Sequence, residues 1–231
     1  MPISKLVLKR IAYSLLPETF VDIALLIKKY FYDKKLNKSH QIKNQAVIEA
    51  LLKCNYEIQL ELGSGKRDGM EGWTSIDLGG DSDIHLDLSL PLPFPDNCVA
   101  KIYSSHLLEH FFYPEPMTNL LAECHRILKP DGIFSVAVPN ARIYLDAYKI
   151  PENFDYRKYC LYNVGLSFKS KIEYVNYIAY MGGHHCYMFD EENLLIVLAE
   201  AKFRNVKLRE FDPTLDLEER RYETIYAEGI K

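Results

Sequence analysis

The sequence predicts a doubly wound α/β domain that follows a helical N-terminal segment. From residue 56 onward, short apolar segments alternate with stretches of helical periodicity, which is the pattern of βαβ units that build a parallel sheet. Seven segments have the length and apolar character of strands: residues 58–62, 73–76, 84–86, 101–104, 133–138, 205–211 and 222–230. Helices are predicted between the later strands, over residues 116–128 and 190–202.

Residues 1–55 are predicted to form a helical extension, and residues 56–231 the α/β domain. Apolar residues recur every three or four positions in the extension, Pro17 separates its first two segments, and the polar stretch 33–43 is predicted to be a loop. Residues 1–56 hold ten basic and four acidic residues, although the whole chain has a net charge of −4. This basic extension is expected to pack on the domain, to contact a membrane surface peripherally, or to form a dimer contact.

The composition excludes several classes of protein. A chain of 231 residues with 48% hydrophobic and 26% charged residues is typical of a globular protein, and its net charge of −4 gives no attraction to nucleic acid. The five cysteines are widely spaced and include no CxxC pair, so we expect a reducing compartment and no disulfide framework. Because no apolar run reaches the ~18 residues of a membrane span, and the N-terminus is a poor signal peptide, the predicted location is the cytoplasm.

Small and acidic residues stand where the first predicted strands end. The first strand closes with the sequence Glu-Leu-Gly-Ser-Gly at residues 61–65, which lets the backbone approach a ligand, but Asp68 occupies the third position of a GxGxxG motif. Asp77 ends the second strand, where a carboxylate accepts hydrogen bonds from ribose hydroxyls, and Asp87 ends the third. The fourth strand runs into Ser-Ser-His at residues 104–106. These positions indicate a nucleotide-like ligand at the carboxyl edge of the sheet.

Together these motifs resemble the class I S-adenosylmethionine-dependent methyltransferases of the small-molecule type. The resemblance is carried by ELGSG, the acidic residue after the second strand, LPFPDN, SSHLLEH and ILKPDG, closely over residues 57–140 and loosely over 184–230. It implies a Rossmann-like seven-stranded mixed sheet whose last strand is antiparallel. It also implies S-adenosylmethionine as cofactor, S-adenosylhomocysteine as product, and methyl transfer to a small-molecule or glycan/lipid-type acceptor. A non-catalytic S-adenosylmethionine-binding module is the main alternative, and a dehydrogenase is a third interpretation.

The resemblance assigns ten residues to the cofactor: Glu61, Gly63, Ser64, Gly65, Asp77, Leu78, Asp87, Leu88, Ser104 and Ser105. It implies that the 61–65 loop lies under the methionine part, that Asp77 binds the ribose, and that Asp87 with Leu88 faces the adenine. Ser104 and Ser105 would lie beside the sulfonium methyl. The structural alternatives are a helix cap for Asp77 and an Asx turn for Asp87.

The first crossover departs from the resemblance. Only seven residues separate Gly65 from Trp73, whereas a parallel crossover usually takes ~12 or more. We therefore expect the first helix to be reduced to a turn, or the second strand to begin later. Lys66 or Arg67 would then provide the positive charge for the cofactor carboxylate in place of a helix dipole.

Four histidines are candidates for a general base: His106, His110, His184 and His185. We select His106, His184 and His185 as the predicted catalytic residues; the alternatives are a helix-start residue for His106 and a solvated or capping pair for the other two. His106, Glu109 and His110 also match an inverted zincin string. Because the methyltransferase pattern already accounts for this string, no metal site is predicted.

Residues 141–187 are predicted to form an insert that acts as a lid or as part of the acceptor pocket. The segment contains nine tyrosines, whose apolar rings and polar tips suit a pocket wall. The alternative is a helical insertion that packs on the core. The basic residues of the 141–187 segment favour an anionic acceptor. No nucleic-acid partner is expected, and the sequence leaves the oligomeric state open.

Overall fold

The computed structural model describes residues 18–65 and 70–231. The chain divides into two compact units, residues 1–46 and 47–231. In the first unit the described residues are helical and belong to α1 (Glu18–Lys53), which ends in the second unit. There Ile48 and Leu51 are buried in the core. The predicted boundary at residue 55 stays a prediction.

The predicted loop over residues 33–43 is wrong, because this stretch is helical. No glycine or proline occurs between residues 18 and 53, and the lysines and glutamines of the stretch have good helix propensity. Polarity alone therefore does not interrupt α1. The break predicted at Pro17 lies outside the described residues, and the predicted membrane-surface contact stays a prediction. Among the described residues, no helix is both long and apolar enough to span a bilayer.

The second unit is built on a seven-stranded mixed sheet, as predicted. Its strands are β1 (Ile58–Leu62), β2 (Thr74–Asp77), β3 (Ile84–His85), β4 (Val99–Ser105), β5 (Leu128–Pro139), β6 (Arg204–Leu208) and β7 (Thr224–Ile230). Their order in the sheet is β3-β2-β1-β4-β5-β7-β6. The first five strands pair in parallel, and β7 is antiparallel to both of its neighbours. The last strand is thus antiparallel, as the resemblance implies.

Five helices accompany the sheet after β4: α2 (Met117–Ile127), α3 (Ala141–Lys149), α4 (Tyr156–Tyr159), α5 (Ile172–Tyr180) and α6 (Glu191–Glu200). Helix α2 shows why the predicted crossover forms. Met117, Leu120, Leu121 and Cys124 recur at helical spacing and are all buried. Helix α6 begins at the N-cap Asp190, whose side chain accepts a hydrogen bond from the backbone N–H of Asn193 at 2.8 Å.

The topology places the ligand-binding edge between β1 and β4. The strand order reverses at this pair, and open α/β sheets bind ligands beyond the carboxyl ends of the strands at such a reversal. Leu62 at the end of β1 pairs in register with Ser104 near the end of β4. The ends of β1, β2 and β4 therefore open on one side of the sheet.

The first crossover contains no helix among its described residues. Strand β2 begins at Thr74, and residues 63–65 and 70–73 form turns and irregular backbone. The expected reduction of the first helix is thus observed in the described part of the connection. Lys66 and Arg67, to which the cofactor carboxylate was assigned, lie outside the described residues.

Candidate active site

The loop after β1 approaches its neighbours at a distance that only glycine allows. Gly63 has a φ of +73°, and its N–H donates to the carbonyl of Ile76. A Cβ atom on Gly63 would lie 2.7 Å from Cδ1 of Leu107, whereas one on Gly65 would meet no atom within 4 Å. Gly63 is therefore packed against the residues after β4, and Gly65 borders open space.

Asp77 joins the loops that follow β1 and β2. Its Oδ2 accepts a hydrogen bond from the N–H of Gly65 at 2.9 Å, and its Oδ1 accepts one from Gly79, also at 2.9 Å. A Cβ on Gly80 would lie only 2.6 Å from the carbonyl oxygen of Gly65, so the two loops are in close contact. Each carboxylate oxygen retains lone-pair capacity for a ligand hydroxyl.

The residues at the end of β4 border the site next to the loops that follow β1 and β2. Ser105 is half-buried, and His106 follows it in the left-handed conformation, with a φ of +51°. The N–H of His106 donates to the carbonyl of Ala137 at 2.8 Å, which ties this turn to β5.

These loops border one cavity of about 690 Å³, a volume typical of small-molecule sites. Seven residues predicted for the site line it: Glu61, Gly63, Ser64, Gly65, Asp77, Ser105 and His106. Its other lining residues are Leu107, His110, Leu161, Tyr162, Leu217, Glu219, Arg220 and Tyr222. The structure thus brings most of the predicted set to one place.

Four predicted cofactor residues lie outside this lining. Leu78 is exposed beside Asp77, and Ser104 is fully buried within β4. Asp87 accepts hydrogen bonds from the N–H and the hydroxyl of Ser89, which forms the Asx turn weighed above, and the side chain of Leu88 packs in the core. The proposed adenine contacts of Asp87 and Leu88 stay predictions.

A buried carboxylate lies beside His106, behind the residues that line the cavity. Glu109 is 2% exposed, and neither of its carboxylate oxygens has a hydrogen-bond partner among the described residues. Nδ1 of His106 lies 3.6 Å from Oε1 of Glu109, while its Nε2 contacts the Thr224 hydroxyl at 2.9 Å. That hydroxyl donates its own proton to the carbonyl of Arg220 at 2.6 Å. It must therefore accept from Nε2 of His106, which leaves Nδ1 without a proton in the neutral ring.

The two remaining predicted histidines differ in their position. His185 is buried, and its ring lies 5.2 Å from that of His110, centroid to centroid. His184 is exposed, and its backbone carbonyl accepts a hydrogen bond from Nδ1 of His110 at 2.8 Å. His110, a candidate that was not selected, lines the cavity. Its place in the HxxEH string was the signal available for it.

Burial dominates the electrostatics of this cluster. It lowers the pKa of His106 well below its usual value, with smaller contributions from Arg220, His185 and His110. It also lowers the pKa of His185 and raises that of Glu109 to about 8. At neutral pH the buried imidazoles are therefore uncharged and can act as acceptors or ligands.

The insert over residues 141–187 contributes one part of the cavity wall. Leu161 and Tyr162 reach the cavity, while Tyr144 and Tyr177 are buried in a separate small core within the insert. The Tyr144 hydroxyl donates to the carboxylate of Glu223, just before β7. Some tyrosines of the insert therefore pack internally and Tyr162 lines the cavity, while the role of the insert as a lid or acceptor pocket stays a prediction.

Comparison with known proteins finds one matching sequence family. The sequence profile of a family described as a methyltransferase domain matches residues 78–136, a segment that contains β4 and the HxxEH string. No curated protein matches.

Several solved methyltransferase structures resemble the chain. A S-adenosylmethionine-dependent methyltransferase from Archaeoglobus fulgidus is 16% identical, with a TM-score of 0.48 and coverage of 88% of this chain and 99% of that one. A possible histamine N-methyltransferase from Thermotoga maritima is 14% identical, with a TM-score of 0.47 and coverage of 89% and 96%. A Mesorhizobium loti methyltransferase is 17% identical, with a TM-score of 0.45 and coverage of 80% and 96%.

Residues 78–136 thus match a methyltransferase domain, in agreement with the predicted enzyme class and its cofactor, S-adenosylmethionine.

Proposed function

We propose that this enzyme transfers the methyl group of S-adenosylmethionine to a small-molecule acceptor, a class that includes single sugars and lipid headgroups. The observation that carries the proposal is the convergence of the β1 loop, Asp77 and the end of β4 on one cavity of about 690 Å³. This volume lies within the range for small ligands.

The cofactor residues are assigned by their place in the cavity. We assign the methionine part to the loop 61–65, whose glycines provide a cradle that a side chain at Gly63 would disturb. Asp77 is assigned to the ribose hydroxyls, because its oxygens retain lone pairs after accepting two backbone hydrogen bonds. Leu78, Asp87 and Leu88 are assigned to the adenine side, and Ser104 and Ser105 to the side of the methyl group. Bound there, S-adenosylmethionine supplies a methyl group that is already activated on its sulfonium.

The protein's own contribution is to align the acceptor and to exclude water, which is worth ~7–11 kcal/mol in well-oriented reactions. We assign activation of the acceptor to the histidine cluster of His106, His110 and His185, which borders the cavity through His106 and His110. His184 acts as a positioning residue, because its carbonyl fixes the ring of His110.

The cavity also favours an anionic group on the acceptor. Arg220 lines the cavity and forms no salt bridge within 4.0 Å among the described residues, although its positive charge interacts electrostatically with Glu109 and Glu223. A guanidinium of this kind pairs readily with a carboxylate or phosphate. The exposed basic residues of the insert would add to this attraction at low salt.

A transfer assay tests the proposal. The protein is incubated with S-adenosylmethionine labelled on the methyl group and with separate pools of small carboxylates, sugar phosphates, lipid headgroups, proteins and RNA. We expect label in a small-molecule pool, and less label when Arg220 is replaced by Gln. Label in protein or RNA alone would contradict the acceptor class. Binding of S-adenosylhomocysteine with no transfer to any pool would favour the non-catalytic module.

We also propose the cytoplasm as the location of the enzyme. All five cysteines lie in the described part of the chain and are free. This agrees with a reducing compartment.

A further inference from the structure

We propose that Glu109, His110 and His185 bind a divalent transition-metal ion of the Zn²⁺ type next to the cavity, which His110 lines. One potential ligand atom from each residue lies within 4.8 Å of the other two. Metal–ligand bonds of about 2.0–2.2 Å bring such atoms to roughly 4 Å or less, so a small rotation of the half-exposed His110 ring completes the set. The site differs from the zincin string considered in the sequence, because His185 takes the place of His106.

The backbone fixes the distance between the two segments that supply the ligands. Glu109 and His110 lie in a 3₁₀ turn (Leu108–His110) after β4, and His185 follows α5. The carbonyl of Glu109 accepts hydrogen bonds from the N–H groups of Cys186 at 2.7 Å and Tyr187 at 3.2 Å. The ligands are thus held on connected backbone segments, as a preorganised site requires.

Both histidines present an unprotonated Nε2. Nδ1 of His110 lies 2.8 Å from the carbonyl of His184, and Nδ1 of His185 lies 2.7 Å from the carbonyl of Ile178. A carbonyl oxygen only accepts, so each Nδ1 carries the proton, and each Nε2 carries a lone pair. Metal-binding histidines are oriented in this way, with the second ring nitrogen donating to a carbonyl or carboxylate.

Glu109 supplies the second, independent observation. Its side chain is 2% exposed, and both oxygens lack hydrogen-bond partners among the described residues. A buried carboxylate without a partner is strongly unfavourable unless a cation or a proton compensates it. Nδ1 of His106, at 3.6 Å from Oε1, gives no donor, because its proton is on the nitrogen that contacts Thr224. With Glu109 in its carboxylate form, the three ligand groups offer lone pairs and no donor, and a cation satisfies them together.

The donor set selects the type of ion and its use. Two imidazoles and one carboxylate suit Zn²⁺, Fe²⁺ or Co²⁺ better than Mg²⁺ or Ca²⁺, which prefer oxygen ligands. Three protein ligands leave a position open, as in catalytic zinc sites, and His110 borders the cavity. There a divalent ion would lower the pKa of an acceptor hydroxyl. This catalytic use rests on the proposed function, whereas the binding of the ion does not.

The test is a titration of the full-length protein with Zn²⁺ after removal of bound metals by a chelator, followed by Co²⁺ substitution. We expect one Zn²⁺ per chain and visible Co²⁺ absorption bands typical of nitrogen and oxygen ligands. His110→Gln changes a half-exposed side chain and keeps the fold, and it should weaken binding by at least about 100-fold. Glu109→Gln should weaken it similarly. His125→Gln, on a histidine whose ring meets Phe203 edge to face, is the matched control and should leave binding unchanged.

The outcomes separate this proposal from the proposed function. Failure of the parent protein to bind Zn²⁺ or Co²⁺ would overturn the metal site, as would binding that is equal in the parent, the His110 variant and the Glu109 variant. An infrared carboxylic-acid band that persists in the Zn²⁺-saturated parent and is absent from Glu109→Gln would show that Glu109 keeps a proton instead of binding the ion, with the same consequence. The affinity for S-adenosylhomocysteine, measured on the same samples, reports separately on the cofactor site. Its loss while Zn²⁺ still binds would count against the proposed function alone.

Discussion

Replacing Asp77 by Ala removes the two hydrogen bonds that hold the loops after β1 and β2 together. The carboxylate accepts from the N–H groups of Gly65 and Gly79, each at 2.9 Å. A hydrogen bond to a charged group contributes roughly 1.5–3 kcal/mol, and a half-buried site lies at the lower end of this range. We therefore expect Asp77→Ala to lower the free energy of unfolding by about 2–3 kcal/mol. Urea denaturation followed by circular dichroism measures this change.

The same substitution should weaken cofactor binding. It releases the loop that carries Gly65 and removes the proposed acceptor for the ribose hydroxyls. A loss of about 2–3 kcal/mol in binding corresponds to a rise of roughly 30- to 150-fold in the Kd for S-adenosylhomocysteine, since 1.4 kcal/mol is tenfold. Isothermal titration calorimetry measures the Kd. Asp77→Asn keeps one acceptor oxygen and should fall between the parent and the Ala variant.

Asp131→Ala is the matched control for these measurements. Its side chain is 85% exposed and pairs with Arg204 at the surface, so both the unfolding free energy and the Kd should stay at the parent values. A parental Kd in Asp77→Ala would refute the ribose assignment. An unchanged unfolding free energy would refute the argument that this carboxylate joins the two loops.

Three further substitutions test a close backbone contact, a buried ion pair and a buried carboxyl group. Gly63→Ala places a Cβ 2.7 Å from Leu107 at a backbone φ of +73°. It should therefore lower the free energy of unfolding by about 1–3 kcal/mol and weaken the binding of S-adenosylhomocysteine, both of which calorimetry measures. Asp216 binds the largely buried guanidinium of Arg209 at 2.6 Å, and Asp216→Ala leaves that charge without this partner. We expect the free energy of unfolding, measured by urea denaturation, to fall by about 3–5 kcal/mol. A fall of less than about 1 kcal/mol would contradict this expectation. Burial raises the pKa of Glu223, so its folded form keeps a proton that the unfolded chain releases near pH 4.5. The stabilisation by the protonated Glu223 is present below pH 4.5 and is lost as the pH rises through the pKa of the folded form. In unfolding experiments at pH 4.5 to 8, Glu223→Gln should therefore remove this decrease in the free energy of unfolding.

The sheet and most of the cofactor side could be predicted from the sequence, because both depend on local patterns. Alternating apolar segments predict the strands, and the glycines of the 61–65 loop with Asp77 identify the strand ends that meet at the cavity. What the sequence did not reveal is how Asp77 is used. Its bonds to two backbone N–H groups depend on the close contact of Gly65 and Gly80, which only the folded chain shows.

The histidine cluster shows the limit of reasoning from spacing. The ligands of an inverted zincin string lie on one face of a helix, but here the structure has only a 3₁₀ turn (Leu108–His110), and His106 precedes it in a left-handed conformation. His185 reaches Glu109 from 76 positions away along the chain, through backbone contacts that no local pattern encodes. The hydrogen bonds that fix each ring also come from backbone carbonyls, so residue types alone could not indicate which nitrogens are free.

The claim that the cavity at the ends of β1, β2 and β4 is the cofactor site can be tested most directly by a crystal structure with S-adenosylhomocysteine. The account predicts density for the adenosyl group within hydrogen-bond distance of Asp77, with the homocysteine part over the loop that contains Gly63. Density for the ligand elsewhere on the protein, or this cavity filled by rearranged side chains, would contradict it.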